Sequence, residues 1–280
     1  MTTPRNSAVR ASPGRVASTR AALRFVAVLI VLVALWYLAA GLVRVLGDTV
    51  AAAKLPFPHE VVIHVLNFPQ TFIEAAWSTG SRALAGFFVG MIVGTLFAVL
   101  MIQNRWIESA FIPYVLALQM IPLIALVPIL RAVLRDPDLV RLYVTGYVSF
   151  FIVTIAVLRG LKNAAPNALE LMDSINASRW KTLRYLRFPA ALPYIFTGLR
   201  VAAPLSLIGA ILVDFLGARN GLGYLMVASL SIGSSQSEVL WAALLISMAI
   251  GLMFTAAVVL VERRVSFWQP AFRTETVETS

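Results

Sequence analysis

The sequence contains no cysteine and only two histidines among its 280 residues. The missing thiols exclude disulfides, cysteine nucleophiles and cysteine metal ligands. His59 and His64 lie beside prolines in one predicted loop, and we interpret them as solvated loop residues rather than as a metal site. We therefore predict no bound metal.

Charged residues are also scarce. They make up 13% of the chain, whereas 60% of it is hydrophobic and the mean hydropathy is +0.85. A soluble domain of this length would leave much of that apolar surface in water. A helical membrane protein uses it, because each span needs ~20 apolar residues. The composition thus predicts an all-α polytopic membrane protein.

Six apolar runs are long enough to be membrane spans. They cover residues 25–43, 83–102, 110–130, 142–158, 194–213 and 239–261. We predict that 1–23 is a disordered basic cytoplasmic tail, that 24–264 is the transmembrane domain and that 265–280 is a C-terminal cytoplasmic tail. The connections 44–82, 131–141 and 214–238 are predicted loops.

The net charge of +10 would suggest a nucleic-acid partner in a soluble protein. In a membrane protein the positive-inside rule explains it better. Six spans place both termini on one side, and most lysines and arginines then lie in the termini and in residues 159–193. We predict a cell-membrane protein with cytoplasmic termini and no nucleic-acid partner, although the three arginines of 131–141 depart from the pattern.

A glycine stripe marks the second predicted span. Gly86, Gly90 and Gly94 are spaced four apart, so they share one helix face and allow another helix to approach closely. They are predicted packing residues and give no information about a transported solute.

The third predicted span contains the prolines Pro122 and Pro128, each of which removes a backbone donor. Freed carbonyls in lipid are costly unless they line a cavity or are buried in protein. Gln119 lies one turn before Pro122. These three residues are candidates for a solute path, and a kink that serves only packing is the alternative.

The fifth predicted span contains Arg200, the one clear intramembrane charge. Asp214 lies too far along the same helix to pair with it, and we place Asp214 at the outer end of the span. Both are further path candidates. For Arg200, we favour a structural contact with the cytoplasmic stretch 159–193 over a role in the path.

That stretch is polar, basic and too long for a simple turn. A first helix can begin at Pro166 or Asn167, break at Asn176 and be followed by a second helix that Pro189 ends. We predict that another protein holds this stretch. An amphipathic helix on the membrane surface is the alternative.

The same residues resemble the signature loop of permease subunits from binding-protein-dependent ABC importers. That loop reads Glu-Ala-Ala, three residues, Gly, nine residues, Ile, one residue, Leu-Pro. Here Glu170-Leu171-Met172 occupy the triplet, Asn176 the glycine and Leu186 the isoleucine, and Phe188-Pro189 the final pair. Asn176 tolerates the left-handed backbone that a glycine would supply. Ala177-Ser178-Arg179-Trp180 also matches the family's usual continuation.

The resemblance covers about residues 25–265. Within the family, the sequence is most similar to the nitrate, sulfonate and taurine subgroup. It includes Leu-Pro-Phe-Pro-His-Glu at 55–60, Pro-Leu-Ile-Ala-Leu-Val-Pro at 122–128 and Asp-Phe-Leu-Gly at 214–217. Residues 134–138 depart from the subgroup's frequent Phe-Gly-x-Gly. Residues 200–204, Arg-Val-Ala-Ala-Pro, resemble members assigned to vitamin precursors such as pyrimidines or riboflavin.

The resemblance implies a type I ABC importer permease with a cytoplasmic coupling helix. Two copies would form the pore, an ATPase dimer would grip the loop, and an extracytoplasmic binding protein would deliver solute. The implied ATPase-coupling residues are Glu170, Leu171, Met172, Asn176, Ala177, Ser178, Arg179 and Pro189. The solute would be a sulfonate-, taurine- or nitrate-like anion, with a vitamin precursor as the alternative.

The chain has no Gly-x-x-x-x-Gly-Lys-Ser/Thr motif. Consequently we expect ATP and magnesium on the partner ATPase, no cofactor on this chain and no enzymatic activity of its own. A secondary transporter usually carries several intramembrane charges for ion coupling, and this sequence has almost none besides Arg200. A membrane enzyme is disfavoured because no paired catalytic groups are evident.

Overall fold

The computed structural model describes residues 13–47, 54–232 and 236–266. The chain divides into two compact units, Met1–Glu60 with Trp268–Ser280, and Val61–Phe267. The described residues are helical with short connections. The helices are α1 (Pro13–Leu46), α2 (Pro58–Asn67), α3 (Pro69–Gln103), α4 (Arg105–Leu118), α5 (Leu123–Leu134), α6 (Pro137–Lys162), α7 (Pro166–Ser174), α8 (Arg179–Thr182), a π turn (Leu183–Arg187), α9 (Phe188–Phe215), α10 (Leu222–Ile232) and α11 (Ser237–Val265).

Five helical segments are long and apolar enough to cross a membrane: Val26–Leu46, Pro69–Gln103, Pro137–Lys162, Arg179–Phe215 and Ser237–Val265. The number is six if the pair α4 and α5, which are bent by 95° relative to each other, forms one broken span. The predicted all-α polytopic fold is confirmed.

The first unit contains α1, whose apolar side chains are mostly exposed. Arg44 hydrogen-bonds Glu60 at 2.9 and 2.6 Å, and this bond lowers the pKa of the Glu60 carboxyl. The indole of Trp36 donates to the carbonyl of Pro56. The hydroxyl of Tyr37 lies 3.0 Å from Nδ1 of His59. His59 therefore contacts an aromatic neighbour. Within the described ranges, no group of three or more His, Cys, Asp or Glu side chains is placed to hold a metal ion.

The core of the second unit lies between α3, α6 and α9. Its buried residues include Phe87, Val153, Leu158, Ala191, Phe196 and Ala202. Gly86, Gly90 and Gly94 all face α6. A Cβ at any of them would overlap atoms of α6, among them the side chain of Thr145 and the carbonyls of Gly146 and Phe150. The stripe thus lets α3 and α6 pack with their backbones close together.

Several helices extend beyond their predicted ends. α1 begins at Pro13, so residues 13–23 of the predicted disordered tail are helical, while 1–12 lie outside the described residues. α2 and the first turns of α3 occupy much of the predicted loop 44–82. Hydropathy identifies the apolar part of a span, and good helix formers such as alanine extend the helix past it.

The predicted loop 214–238 contains α10. This helix has 11 residues, so at 1.5 Å per residue it is roughly 16 Å long and too short to cross a membrane. Leu222 and Met226 bury its inner face against Ala243 of α11. The sequence prediction missed the helix because its apolar run is short and begins among glycines.

Candidate functional site

Residues 163–187 form a folded loop between α6 and α9, and we call this end of the molecule the loop end. α7 begins at Pro166, as predicted, and its last turn closes at Asn176, whose φ is +49°. The amide of Asn176 donates to the carbonyl of Asp173, and the amide of Ala177 donates to that of Met172. This is a Schellman motif, in which glycine usually takes the left-handed position. Asparagine at this position therefore preserves the glycine-type turn.

The next helix begins at once. Ser178 is the N-cap of α8, with its hydroxyl accepting from the amide of Lys181 at 3.4 Å. α7 and α8 therefore form two short helices joined by a corner of Asn176 and Ala177. The corner has a defined geometry set by backbone hydrogen bonds.

The loop exposes several large apolar side chains at the surface. Leu171 and Ile175 are 62% and 65% exposed and lie four residues apart, so they share one face of the α7 turn. Trp180 and Tyr185 are also mostly exposed. The predicted coupling residues Glu170, Asn176, Ser178 and Arg179 are exposed, whereas Met172, Ala177 and Pro189 are half-buried. A large apolar surface beside polar residues is typical of a protein interaction site.

The loop continues into α9 without a stop. The amide of Phe188 donates to the carbonyl of Leu183, an i to i−5 bond that defines the π turn, and Pro189 follows in the first turn of α9. The prediction that Pro189 ends the second helix is wrong. A proline is tolerated in the first turn, where its missing N–H is not required, and the π turn changes the register just before it.

The loop is attached to the bundle through backbone carbonyls. Arg179 donates to the carbonyl of Gln103 at 3.2 Å, and Arg187 donates to that of Leu161 at 3.4 Å. Leu183 is buried in the core. These contacts connect the loop to the ends of α3 and α6.

The third predicted span is broken rather than kinked. α4 ends at Leu118, α5 begins after Pro122, and Tyr147 of α6 donates its hydroxyl hydrogen bond to the carbonyl of Leu118. Gln119 and Pro122 are exposed at the break, and Pro128 is exposed within α5.

The two halves of this span contact opposite ends of the bundle. Glu108 near the start of α4 pairs with Lys162 at the loop end, whereas Arg131 of α5 donates to the carbonyl of Leu216 at the far end of α9. The broken pair therefore crosses the bundle from one end to the other and does not return to its starting side.

A buried polar cluster lies at the end opposite the loop. Nε of Arg141 donates to Asp214 at 2.5 Å, and Thr79 donates to the other oxygen of that carboxylate at 2.6 Å. Arg141 also contacts Asn220 and Asp138 at 2.7 Å. The hydroxyl of Thr79 accepts from the amide of Leu222. The cluster joins α3, α6, α9 and the start of α10.

Sequence reasoning missed Arg141. It was assigned to a charged connection between spans, yet it is 1% exposed and is the largest fully buried side chain among the described residues. Its spacing of three from Asp138 was the available signal, because residues at i and i+3 meet on a helix. Asp214 lies at the end of its helix, as predicted, but its side chain is fully buried in this conformation.

Arg200 pairs with Glu262 of α11 at 2.6 Å. The carboxylate is 3% exposed, whereas the Arg200 side chain is 41% exposed and its Nε is buried without a hydrogen-bond partner. The ion pair of Arg200 is thus with the last helix rather than with residues 159–193. Arg141 and Arg200 thus each have a carboxylate partner.

The fold and the loop define a multi-pass membrane transport subunit. Residues 86–267 match the family described as the binding-protein-dependent transport system inner membrane component. The chain belongs to this family. The family name states that its members work with a solute-binding protein.

Two relatives and one solved structure show the range of this similarity. The formylaminopyrimidine transport permease protein ThiX of Halalkalibacterium halodurans is 33% identical over 171 residues, covering 61% of this chain and 68% of its own. The putative aliphatic sulfonates transport permease protein SsuC of Bacillus subtilis is 23% identical over 247 residues, covering 86% of each. A chain of the MetNI methionine ABC transporter, solved in inward-facing conformations, has a TM-score of 0.62 at 16% identity over 71% of this chain and 98% of that one.

Proposed function

We propose that this chain is the permease subunit of an ATP-driven importer and that a second copy of it completes the path for a small solute. The exposed apolar face of α7, with Leu171 and Ile175, is the observation that carries the proposal. Apolar side chains held in solvent outside the bundle do not stabilise the isolated chain. Their exposure on a hydrogen-bonded corner is typical of a surface that another protein covers.

The partner at this corner is a cytoplasmic ATPase dimer, which binds ATP and magnesium. Apolar contact with Leu171 would supply the binding area, while Glu170, Ser178 and Arg179 would set its orientation. Met172, Asn176, Ala177 and Pro189 shape the corner and its connection to α9. The loop end is cytoplasmic in this arrangement, as are both termini, and the binding protein docks at the opposite end.

The solute path runs beside the break between α4 and α5. Gln119, Pro122 and Pro128 are exposed there, and a broken helix offers backbone carbonyls to a polar solute. Arg200 and Asp214 are already paired in this conformation, with Glu262 and Arg141. They would reach the path only if those pairs separate during the transport cycle.

The same pairing bears on the proposed solute class. A sulfonate, taurine or nitrate anion was expected, and the similarity to SsuC supports it. The higher identity to ThiX favours a small heteroaromatic vitamin precursor instead. Because Arg141 and Arg200 are both neutralised by carboxylates, neither offers a free cation to an anionic solute. We therefore place the heteroaromatic class ahead of the anions.

Co-purification tests the ATPase assignment. Glu170→Lys reverses an exposed charge on the corner and should abolish recovery of the ATPase with the tagged chain. Glu74→Lys reverses an exposed charge on α3 near the opposite end and serves as the matched control, with recovery expected to be unchanged. Solute uptake that persists in vesicles without any ATPase would refute the proposal.

Ligand screening of the cognate binding protein tests the solute class. Thermal stabilisation by aminopyrimidines, with no response to taurine, alkyl sulfonates or nitrate, is the expected result. Stabilisation by the anions alone would return the assignment to the sulfonate and nitrate type.

A further inference from the structure

An apolar slot opens between α3, α4 and α6 near the loop end. Its volume is about 250 Å³, and its walls include Met101, Ile112, Leu116 and Leu158. Its mouth is different, because Arg159 and Lys162 from the last turn of α6 stand there. The slot is thus apolar inside and basic at one end.

A second cavity continues from that mouth. It has a volume of about 340 Å³ and is lined by Arg105, Glu108, Lys162 and Arg187. This second cavity shares Lys162 with the slot. It shares Arg105 and Arg187 with a larger cleft of about 560 Å³ beside the corner of Asn176 and Ala177. We call the basic part of this passage the cationic mouth, defined by Arg105, Arg159, Lys162 and Arg187.

Most of the positive charge in the cationic mouth is not paired with a described carboxylate. Glu108 is the one carboxylate that pairs with it within the described ranges, and that pair is with Lys162. Arg187 makes a single long hydrogen bond, to the carbonyl of Leu161. Arg105 and Arg159 form no ion pair with any described carboxylate. Most of the guanidinium donors therefore face the cavity or solvent.

We propose that the slot and the cationic mouth together bind one anionic phospholipid, with the headgroup-proximal part of one acyl chain in the slot and the phosphate at the mouth. The two halves of the passage match the two halves of such a lipid. Basic pockets between transmembrane helices on the cytoplasmic side are suited to anionic headgroups. A free phosphate or an acidic peptide would use the mouth and leave the apolar slot unfilled.

The position of the mouth agrees with this occupant. Trp106, next to Arg105, is 85% exposed, and exposed tryptophans gather at the level of lipid headgroups. The lipid comes from the leaflet on the loop side, the cytoplasmic one in the proposed orientation. Bound there, it contacts both the first half of the broken span and Arg187, one of the two arginines that attach the loop to the bundle.

Native mass spectrometry of the full-length chain tests the site. Purified protein is titrated with phosphatidylglycerol and, separately, with phosphatidylcholine. We expect the double variant Arg105→Gln, Arg159→Gln to weaken phosphatidylglycerol binding roughly thirtyfold, since each cation near the surface contributes about a fivefold factor. Leu116→Trp, which fills the slot, should weaken both lipids.

The matched control is the double variant Arg263→Gln, Arg264→Gln. It removes two exposed arginines from the last turn of α11 and should leave the affinity within about twofold. An equal loss in both double variants would show that only general positive charge acts, and it would overturn the site. Displacement of the lipid by inorganic phosphate with no effect of Leu116→Trp would do the same, because the ligand would then be a soluble anion. If the double variant unfolds, Arg159→Gln alone is expected to give about a fivefold loss, and no loss there also refutes the site.

Discussion

Polar residues are buried and hydrogen-bonded at one end of the bundle and exposed to solvent at the other. At the end opposite the loop, Arg141, Asp214 and Thr79 are buried and bonded to one another. At the loop end, Glu170, Ser178 and Arg179 stand in solvent beside exposed apolar side chains. The first arrangement is complete within one chain. The second leaves apolar side chains in solvent that a partner protein would cover. For this reason we propose that the ATPase binds at that end.

Breaking the buried cluster should have the largest effect on stability. Asp214→Ala removes the buried carboxylate partner of the Arg141 guanidinium and leaves it only the half-exposed Asp138, and we expect a loss of about 3–5 kcal/mol in the free energy of unfolding. Thermal denaturation in detergent measures it. Asp138→Asn alters a half-exposed contact of the same arginine and should cost under about 1 kcal/mol. Equal effects of the two variants would contradict the distinction between a complete and an exposed end.

The glycine stripe between the two ends should give the next largest effect. Gly90→Ala places a Cβ against the carbonyl of Gly146, so α3 and α6 must move apart. We expect about 1–3 kcal/mol of destabilisation in the same denaturation measurement. Gly80→Ala on the same helix meets only ordinary contact, with Ile250 at 3.9 Å, and should be neutral or slightly stabilising.

The Schellman turn should show a smaller stability change and a clear functional one. Asn176→Val puts a β-branched residue at positive φ, which costs about 1–2 kcal/mol and displaces the corner. Asn176→Gly keeps the turn. Solute-stimulated ATP hydrolysis by the reconstituted complex should fall in the first variant and persist in the second. Normal stimulation with Asn176→Val would mean that the corner geometry is not needed for coupling.

The smallest stability effect is expected on the exposed face of α7. Ile175→Ser should leave the free energy of unfolding within about 0.5 kcal/mol, because the side chain is already 65% exposed. Binding of the ATPase should nevertheless be lost in a pull-down. Leu230→Ser, at a similarly exposed position on α10, is the control and should retain the ATPase.

Local and compositional signals predicted most of the apolar helices and the two short helices of the loop 163–187. Apolar runs mark membrane crossings because lipid demands them, and Pro166 and Asn176 carry local turn chemistry. Tertiary pairs were harder. Arg141 looked like a surface charge, and its partner Asp214 lies 73 residues away, so only the folded chain brings them together. The Arg200–Glu262 pair is separated by 62 residues and was missed for the same reason.

The unbroken course of the chain from Arg179 to Phe215 has a mechanical consequence. These 37 residues make a helical segment roughly 55 Å long, with the corner of Asn176 and Ala177 just before one tip and Asp214 at the other. In the proposed complex this segment would act as a lever. Pivoting about one tip by about ten degrees sweeps the other through roughly 10 Å, by the same helix dimensions. If the proposed ATPase displaces the corner, the helix itself would transmit a larger displacement to the opposite end of the bundle, without a relay through loosely packed side chains.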